Sequence, residues 1–252
     1  MAQVYNHNEA VPRDVVAIGH DYPPSFELDE HRHVRGQLLY AAHGVVAVST
    51  PQGAWTAPPE RAVWIPGGVP HSVRMVGEVS TRSVLIHPGL LPFGDRCQVV
   101  GVSPLLRSLL VAAGEVPPEY DLDGRDGLVM SLLVAELALA PVIPLSAPFP
   151  KSPALAARCH AFLERPDAHE TIDDWSAQLG LGRRAFTRTF RRETGMSFAE
   201  WRQQACLLSA LPRLAGGEPV TAIALDLGYD SPAAFATMFK RLSGIAPSKY
   251  QP

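Results

Sequence analysis

The chain contains 252 residues, of which 46% are apolar and 19% charged, and its formal net charge is -3. This length suits two ordinary domains, since domains typically hold about 100 to 150 residues. The longest apolar run, residues 128–143, is interrupted by Ser131, Glu136 and Pro141 and is shorter than the ~20 residues of a membrane helix. Residues 1–10 are polar, which argues against a secretory signal. We therefore expect a globular, cytoplasmic protein that does not bind a membrane.

The charge is distributed unevenly along the chain. Residues 1–152 carry 10 Lys and Arg against 15 Asp and Glu, whereas residues 153–252 carry 12 against 10. Five arginines cluster in one short stretch of the second part: Arg183, Arg184, Arg188, Arg191 and Arg192. The overall charge does not establish nucleic-acid binding, but this clustering favours it.

Residues 14–88 read as β-structure. Short β-branched runs at 45–50, 62–65 and 83–86 are separated by Gly and Pro, which is typical of an all-β sandwich or barrel. From Ser103 the apolar spacing becomes helical, so we expect a two-domain α+β protein with helices after the barrel.

A histidine motif lies inside the β-rich segment. His31 and His33 are followed by Gln37 and by a Pro-x-Gly-x-Pro-His motif that ends at His71. On one strand the first three residues would share a face, and His71 from another strand would complete a three-imidazole cluster. Such a cluster predicts a site for a divalent transition metal ion. The alternatives are a metal-free ligand pocket and ordinary barrel positions.

These motifs resemble those of the cupin fold, which are His-x-His-x3-Glu with a later Gly, and Pro-x-Gly-x2-His. The later Gly is Gly44, and Gln37 stands where many metal-binding cupins have Glu. The resemblance implies a β-barrel that binds a metal or a small-molecule effector. We expect four residues to add walls to the effector pocket, although Trp64 also suits the core: Tyr40, Trp55, Trp64 and His87.

Residues 96–140 carry two helical apolar stripes. Leu105, Leu106, Leu109 and Leu110 form the first, and Leu128, Leu132, Val134, Leu137 and Leu139 form the second. The second has few charges on any side, which predicts burial all round. A homodimer interface and packing against the barrel explain the stripes equally well.

Residues 141–153 contain five prolines: Pro141, Pro144, Pro148, Pro150 and Pro153. This density predicts a stiff, extended linker without regular structure. We therefore expect the domains to divide into a barrel at 1–95, a helical segment at 96–140, this linker, and a second domain at 154–252.

The last eighty or so residues contain one pattern twice. In each copy a Leu-Gly pair is followed by two phenylalanines, a glycine and an aromatic residue. The second copy follows the first by 48 residues at the Leu-Gly pair and by 49 residues at the later positions: Leu179-Gly180, Phe186, Phe190, Gly195 and Trp201, then Leu227-Gly228, Phe235, Phe239, Gly244 and Tyr250. Each copy reads as helix, turn, helix. In the first copy the two phenylalanines face inward and the arginines face solvent, as a helix-turn-helix DNA reader requires. A merely solvated charged face is the alternative for either copy alone.

A connecting helix from about Phe198 to Leu214 is predicted between the copies. Pro212 lies inside it, so we expect the helix either to end early or to set the copies at an altered angle.

The double motif is similar to the DNA-binding domain of the AraC/XylS family of transcription regulators, on residues 171–250 and especially on Gly228-Tyr229-Asp230-Ser231. One departure is Cys206, where the family usually has Arg. The resemblance implies that double-stranded DNA contacts ten residues: Arg183, Arg184, Thr187, Arg188, Arg191, Ser231, Ala233, Thr237, Lys240 and Arg241. Because the second set has few donors, we expect the first copy to read bases and the second to hold the backbone.

The sequence thus predicts a sequence-specific transcription regulator whose cupin domain senses a small molecule or a metal. Two alternatives remain: a metal-dependent cupin enzyme, such as an oxygenase or isomerase, and a constitutive DNA-binding protein whose barrel only mediates dimerisation.

Overall fold

The computed structural model describes residues 10–58 and 60–250. The polar segment 1–9, on which the expectation about a secretory signal depends, lies outside the described residues. The chain divides into two compact units, one formed by residues 1–50 and 55–144 and the other by residues 51–54 and 145–252. No helix among the described residues is both long and apolar enough to span a bilayer.

The first unit is built on an antiparallel sheet. Its strands run in the order β1-β6-β3-β5-β7-β8, with β2 paired to β6 and β4 paired to β3. The strands are β1 (Val15–Tyr22), β2 (Glu27–His31), β3 (Gly36–Thr50), β4 (Gly53–Ala57), β5 (Arg61–Ile65), β6 (His71–Ile86), β7 (Gln98–Gly101) and β8 (Val142–Ile143). The three β-branched runs of the sequence lie in β3, β5 and β6, which confirms the predicted β-structure.

Two helices cover one face of this sheet. They are α1 (Pro104–Ala113), whose first turn is capped by Ser103, and α2 (Arg125–Ala138). Leu109 and Leu133 are buried in one apolar cluster with Leu38 and Val84 from the sheet. Leu38 and Val84 are cross-strand partners, so they share a face, and this face forms the core of the unit.

The second helix is not buried all round, contrary to the sequence prediction. Met130, Leu133 and Leu137 face the core, whereas Leu128 is 68% exposed and Leu139 is 80% exposed. The helix therefore carries few charges because it has an apolar stripe exposed to solvent in addition to the apolar face that packs on the core. Charge content does not distinguish a helix buried by its own chain from one with an exposed apolar stripe.

The proline-rich segment also differs from its prediction, because it contains regular structure. Strand β8 pairs with β7 through Ile143 and Val99, and strand β9 (Ser146–Pro148) begins the second unit. Pro141 and Pro144 flank β8, and Pro148 ends β9. Proline lacks a backbone N–H and is tolerated at strand ends, so its density alone does not exclude short strands.

The second unit is helical and contains the predicted repeat. Its helices are α3 (Pro153–Glu164), α4 (Ile172–Gln178), α5 (Arg183–Thr194), α6 (Phe198–Ala215), α7 (Val220–Asp226) and α8 (Pro232–Ser243), followed by a 3-10 turn (Pro247–Lys249). Helices α4 and α6 both begin with capping boxes, Thr171 with Asp174 and Ser197 with Glu200. Such reciprocal bonds satisfy N–H groups that a helix start leaves unpaired.

The connecting helix α6 continues past Pro212 and ends at Ala215. Of the two alternatives, the early end is therefore wrong, and an altered angle between the copies stays a prediction. Pro212 has no N–H for the carbonyl of Leu208, but Leu208, Leu211 and Leu214 are all buried, and this packing offsets the missing hydrogen bond.

Candidate functional sites: a histidine cluster and a DNA-binding surface

Three histidine side chains meet at one edge of the barrel. His31 ends β2 and lies directly opposite His71, the first residue of β6. The ring centroids of His31 and His71 are 4.4 Å apart, and those of His33 and His71 are 5.0 Å apart. One ligand nitrogen of each ring lies within 4.8 Å of the other two. The predicted three-imidazole group is therefore assembled in the fold.

The backbone that presents these residues differs from the single strand expected. Strand β2 ends at His31 and β3 begins at Gly36, so His33 lies in the connection between them. The N–H of Gly68 donates to the carbonyl of His33 at 2.7 Å. Gly67 permits this approach, because a Cβ there would come within 2.0 Å of the carbonyl oxygen of Val34. The Pro-x-Gly motif thus holds the His33 loop, as well as leading into His71.

Backbone carbonyls fix which nitrogen of each ring faces the centre. The Nδ1 atoms of His31, His33 and His71 lie 2.8, 2.7 and 2.9 Å from the carbonyl oxygens of Asp29, Arg35 and Val69. A carbonyl oxygen only accepts, so each neutral ring carries its proton on Nδ1 and has a lone pair on Nε2. Metal-bound histidines are oriented by this type of hydrogen bond.

Burial favours the neutral, metal-binding form of two of the rings. Burial, with smaller contributions from the neighbouring imidazoles, lowers the pKa of His71 to about 4. Burial also lowers the pKa of His31. Nε2 of His71 is buried without a hydrogen-bond partner among the described residues, which is a costly state for a polar atom. An ion at the centre of the cluster would satisfy it.

Gln37 lies beside this centre, as the sequence predicts. Its Oε1 is 2.8 Å from Nε2 of His33, and its Nε2 is 3.3 Å from the hydroxyl oxygen of Ser83. Ligands of a tetrahedral zinc ion lie about 3.4 Å apart, given bond lengths near 2.1 Å. The three imidazoles therefore need to approach one another modestly to bind an ion, whereas Gln37 is already close to His33.

The four residues expected to line an effector pocket lie in different surroundings. Tyr40 and Trp64 both belong to the core cluster with α1 and α2, which for Trp64 is the alternative that the sequence also allowed. Along β3, Tyr40 lies three positions from Gln37, and an odd separation directs the two side chains to opposite faces. His87 is exposed beyond the end of β6. Trp55 is buried, and its indole N–H has no partner among the described residues.

Sequence inspection missed two polar residues on the face of Gln37. Ser83 contacts the Gln37 amide, and Thr81 is paired with Ala41 on the same face. Both are buried. The sequence around them, Ser80-Thr81-Arg82-Ser83, is polar at every position, so no alternation marked Thr81 and Ser83 as inward-facing.

Helix α5 presents the arginine cluster on its outer surface. Phe186 and Phe190 are fully buried, with ring centroids 5.5 Å apart. A surface depression is lined by the six residues Arg183, Arg184, Thr187, Arg188, Arg191 and Arg192. The predicted base-reading residues of the first motif therefore share one exposed face.

These arginines are not equivalent. Arg183 pairs with Asp173 at 2.6 Å, and Arg192 pairs with the adjacent Glu193 at 3.0 Å. Arg184, Arg188 and Arg191 are exposed and form no ion pair with other described residues. The guanidinium groups of Arg184 and Arg188 are therefore available to an anionic ligand without loss of an ion pair, whereas Arg191 also attracts the Glu200 carboxylate.

Helix α8 presents a less charged surface. The Ser231 hydroxyl caps the helix by accepting from the N–H of Ala234 at 3.2 Å. Ala233 and Thr237 are exposed, and the Thr237 hydroxyl donates to the carbonyl of Ala233 at 2.9 Å. Lys240 is exposed, whereas Arg241 donates to the side chain of Gln203 at 2.6 Å.

A barrel with a candidate ligand site, followed by two helix-turn-helix motifs, is the organisation of a ligand-responsive DNA-binding regulator. Comparisons with known proteins agree with it. The AraC-like ligand binding domain matches residues 15–113, and a helix-turn-helix domain family matches residues 175–252.

The chain is 31% identical to the HTH-type transcriptional regulator NimR of Escherichia coli (strain K12) over 244 residues, which cover 97% of this chain and 88% of NimR. It is 33% identical over 89 residues to the regulatory protein SoxS of Salmonella typhimurium, covering 35% of this chain and 83% of SoxS. The structure of ToxT from Vibrio cholerae superposes with a TM-score of 0.40 at 11% identity, covering 94% of this chain and 98% of ToxT. The chain belongs to the AraC family of helix-turn-helix transcriptional regulators.

Proposed function

We propose that this AraC-family regulator senses its signal through a divalent transition metal ion at the histidine cluster and reads DNA sequence mainly with helix α5. The observation that carries the sensing site is the orientation of three imidazoles by backbone carbonyls, with Nε2 of His71 buried and unpaired. The sensor lies within residues 1–95 and the DNA-binding domain within residues 154–252.

His31, His33 and His71 would hold the ion through Nε2, and Gln37 would supply a neutral oxygen ligand beside His33. Three nitrogens and one amide oxygen suit a borderline transition metal better than calcium or magnesium, which prefer oxygen ligands. A bound ion supplies a Lewis-acidic position to which a donor atom of an effector can bind. Ser83 and Thr81 line the same barrel face and offer hydroxyl groups to a polar ligand.

Binding at the barrel changes DNA affinity only if the effector binds one state of the protein more tightly than the other. The group of ligating side chains contains three histidines and, among the described residues, no Asp or Glu. With the three imidazoles used as ligands and no carboxylate among the ligating groups, the site lacks a proton-transfer group for a metal-dependent isomerase. This composition favours sensing over catalysis.

On the DNA side, Arg184, Thr187 and Arg188 are the base-reading residues of α5. Arginine donates to guanine in a bidentate manner, and threonine contacts a thymine methyl group or a base edge. Arg183 has a positioning role, because its pair with Asp173 joins α5 to α4. In α8, the helix start at Ser231 and the side chains of Lys240 and Arg241 hold the phosphate backbone, while Ala233 and Thr237 face the groove.

The exposed apolar stripe of α2 is the proposed homodimer interface. Leu128, Leu132 and Leu139 are 68%, 45% and 80% exposed and follow helical spacing. An apolar stripe of this kind is stabilised when a second copy covers it. Two copies would also bring two DNA-binding domains to one operator.

The test combines metal analysis with DNA binding of the full-length chain. The probe is a duplex selected from random-sequence DNA by the wild-type protein. We expect wild type to contain about one metal ion per chain, His71→Ala to lose it, and the matched control His43→Ala, at an exposed histidine on β3, to retain it. Chelation should change the affinity of wild type for the duplex and leave His71→Ala unaffected. Equal metal content in wild type and His71→Ala would refute the metal site.

A further inference from the structure

The turn of the second helix-turn-helix motif contacts the loop that precedes helix α4 of the first motif. The N–H of Ala168 donates to the carbonyl of Leu227 at 2.8 Å. The next residue, Gly228, has a φ of +73°, and a Cβ at that position would lie 2.2 Å from Oδ1 of Asp167. The two backbones therefore approach each other as closely as glycine permits.

The loop is fixed to the first motif. Oδ1 of Asp167 accepts from the N–H of His169 at 2.8 Å. The Glu170 carboxylate accepts from Arg158 at 2.5 Å and from the indole N–H of Trp175, and the carbonyl of Glu170 accepts from Arg202. Thr171, which caps α4, follows directly. Movement of this loop would therefore break contacts with α3, α4 and α6.

Nε2 of His169 in this loop also lies 4.0 Å from Oδ1 of Asp230, and further attachments of the second motif come from the connecting helix. Arg213 pairs with Asp226 at 2.6 Å and with Glu218. The Cys206 thiol and the Tyr229 hydroxyl are close enough for each to influence the pKa of the other. Gly216 and Gly217 separate the connecting helix from Glu218 and α7, and this pair permits rotation when no other contact restrains it.

We propose that the contact of Asp167 and Ala168 with Leu227 and Gly228 is a positioning element that sets the distance and angle between helices α5 and α8. This inference rests on the proposed DNA reading by both helices. Two readers that enter successive major-groove segments must lie about 34 Å apart along the duplex. Rigid attachment of the second motif to the first raises the affinity of the protein for DNA with one half-site spacing and lowers its affinity for DNA with other spacings.

The repeat supplies a matched control for this contact. Gly180 is the counterpart of Gly228 in the first motif and has a φ of +63°, but a Cβ there would meet no atom within 4 Å. Alanine at either position adopts an unfavourable positive φ. Only alanine at position 228 also collides with Asp167.

The experiment uses five full-length variants: Gly180→Ala, Gly228→Ala, Asp167→Ala, Ala168→Pro and the double variant Asp167→Ala/Gly228→Ala. The probes are a duplex selected from random-sequence DNA by wild type, derivatives with one or two base pairs inserted between its two protected segments, and a duplex that retains only the segment contacted by α5. Wild type should bind the parent spacing best. We expect Gly228→Ala to bind the parent duplex at least about fivefold more weakly than Gly180→Ala does and to discriminate less between spacings.

The double variant should recover most of the lost affinity, and both Gly228→Ala and the double variant should bind the single-segment duplex as wild type does. This last measurement shows that the first motif is folded. Ala168→Pro, which removes the N–H bonded to Leu227 and leaves Gly228 intact, should reproduce the loss of spacing preference. Equal effects of the two glycine substitutions, or no recovery in the double variant, would overturn the inference. A wild-type footprint confined to one segment would instead overturn the proposed two-helix reading, and this inference with it.

Discussion

The side-chain oxygen of Gln37 lies 2.8 Å from Nε2 of His33, and the amide nitrogen lies 3.3 Å from the hydroxyl of Ser83. His33 carries its proton on Nδ1, which faces the carbonyl of Arg35. In the neutral ring Nε2 then has only a lone pair, so without an ion the better amide orientation places the NH2 group toward His33 and the oxygen toward Ser83. Amide orientation is assigned from such networks. A bound ion favours the opposite orientation, with the oxygen facing the centre.

Gln37→Glu should therefore tighten metal binding. A carboxylate is a stronger ligand than an amide, and its charge offsets that of the ion. Without the ion, the buried carboxylate faces the lone pair of His33, so the metal-free variant should be less stable than wild type. Metal titration and thermal unfolding with and without chelator measure both effects. Gln98→Glu, at a partly buried glutamine on β7, is the control. An unchanged metal affinity would place Gln37 outside the coordination sphere.

The stability of the metal-free chain should fall as the pH is lowered from 6.5 to about 4. His71 has its ordinary pKa of 6.5 in the unfolded chain and a pKa of about 4 in the folded one. Within this window the unfolded state binds more protons, so acidification favours unfolding, by up to about 3 kcal/mol. The lowered pKa of His31 acts in the same direction. Urea denaturation across this range checks the effect, and His71→Gln should lose less stability than wild type. An equal loss in the variant would assign the pH dependence to other groups.

Arg184→Ala should reduce affinity for the selected duplex by about 1–3 kcal/mol and relax the preference for one base pair. Arg192→Ala should have a small effect, because Arg192 is already paired with Glu193 on the same exposed helix. Fluorescence anisotropy at several salt concentrations, with base-substituted duplexes, distinguishes loss of base reading from loss of phosphate contact. The division of roles between the motifs would be wrong if Arg184→Ala had no effect while Thr237→Ala abolished binding.

Leu132→Lys should weaken self-association if α2 forms the homodimer interface. The charged side chain would be buried without a partner at the centre of the stripe, at a cost of several kcal/mol. Ser131→Lys, one position away on the same helix, is the control, because Ser131 is also exposed. Sedimentation equilibrium of the full-length chain measures the association. Equal self-association of the two variants would show that α2 does not form the dimer interface.

Local patterns predicted much of the DNA-binding domain. Both predicted helix-turn-helix copies are present, as α4 with α5 and as α7 with α8, and the connecting helix begins at Phe198 as predicted. These features depend on residues within a few positions of one another, such as a capping residue and the backbone of the following turn. The prediction failed where packing offset a local cost, at Pro212, and where strand ends accommodated proline, near Pro144.

The sequence by itself determined the repeated helix-turn-helix pattern, the arginine-rich face and the identities of the three histidines, because each of these depends only on residue types and their spacing. Only the tertiary structure decided that His33 lies in a loop, that Tyr40 faces the helical core, and that Arg183 is paired with Asp173. The contact between Ala168 and Leu227 likewise joins residues far apart in the chain. Such relationships depend on strand register and on contacts between distant segments, and neither is encoded in the spacing of neighbouring residues.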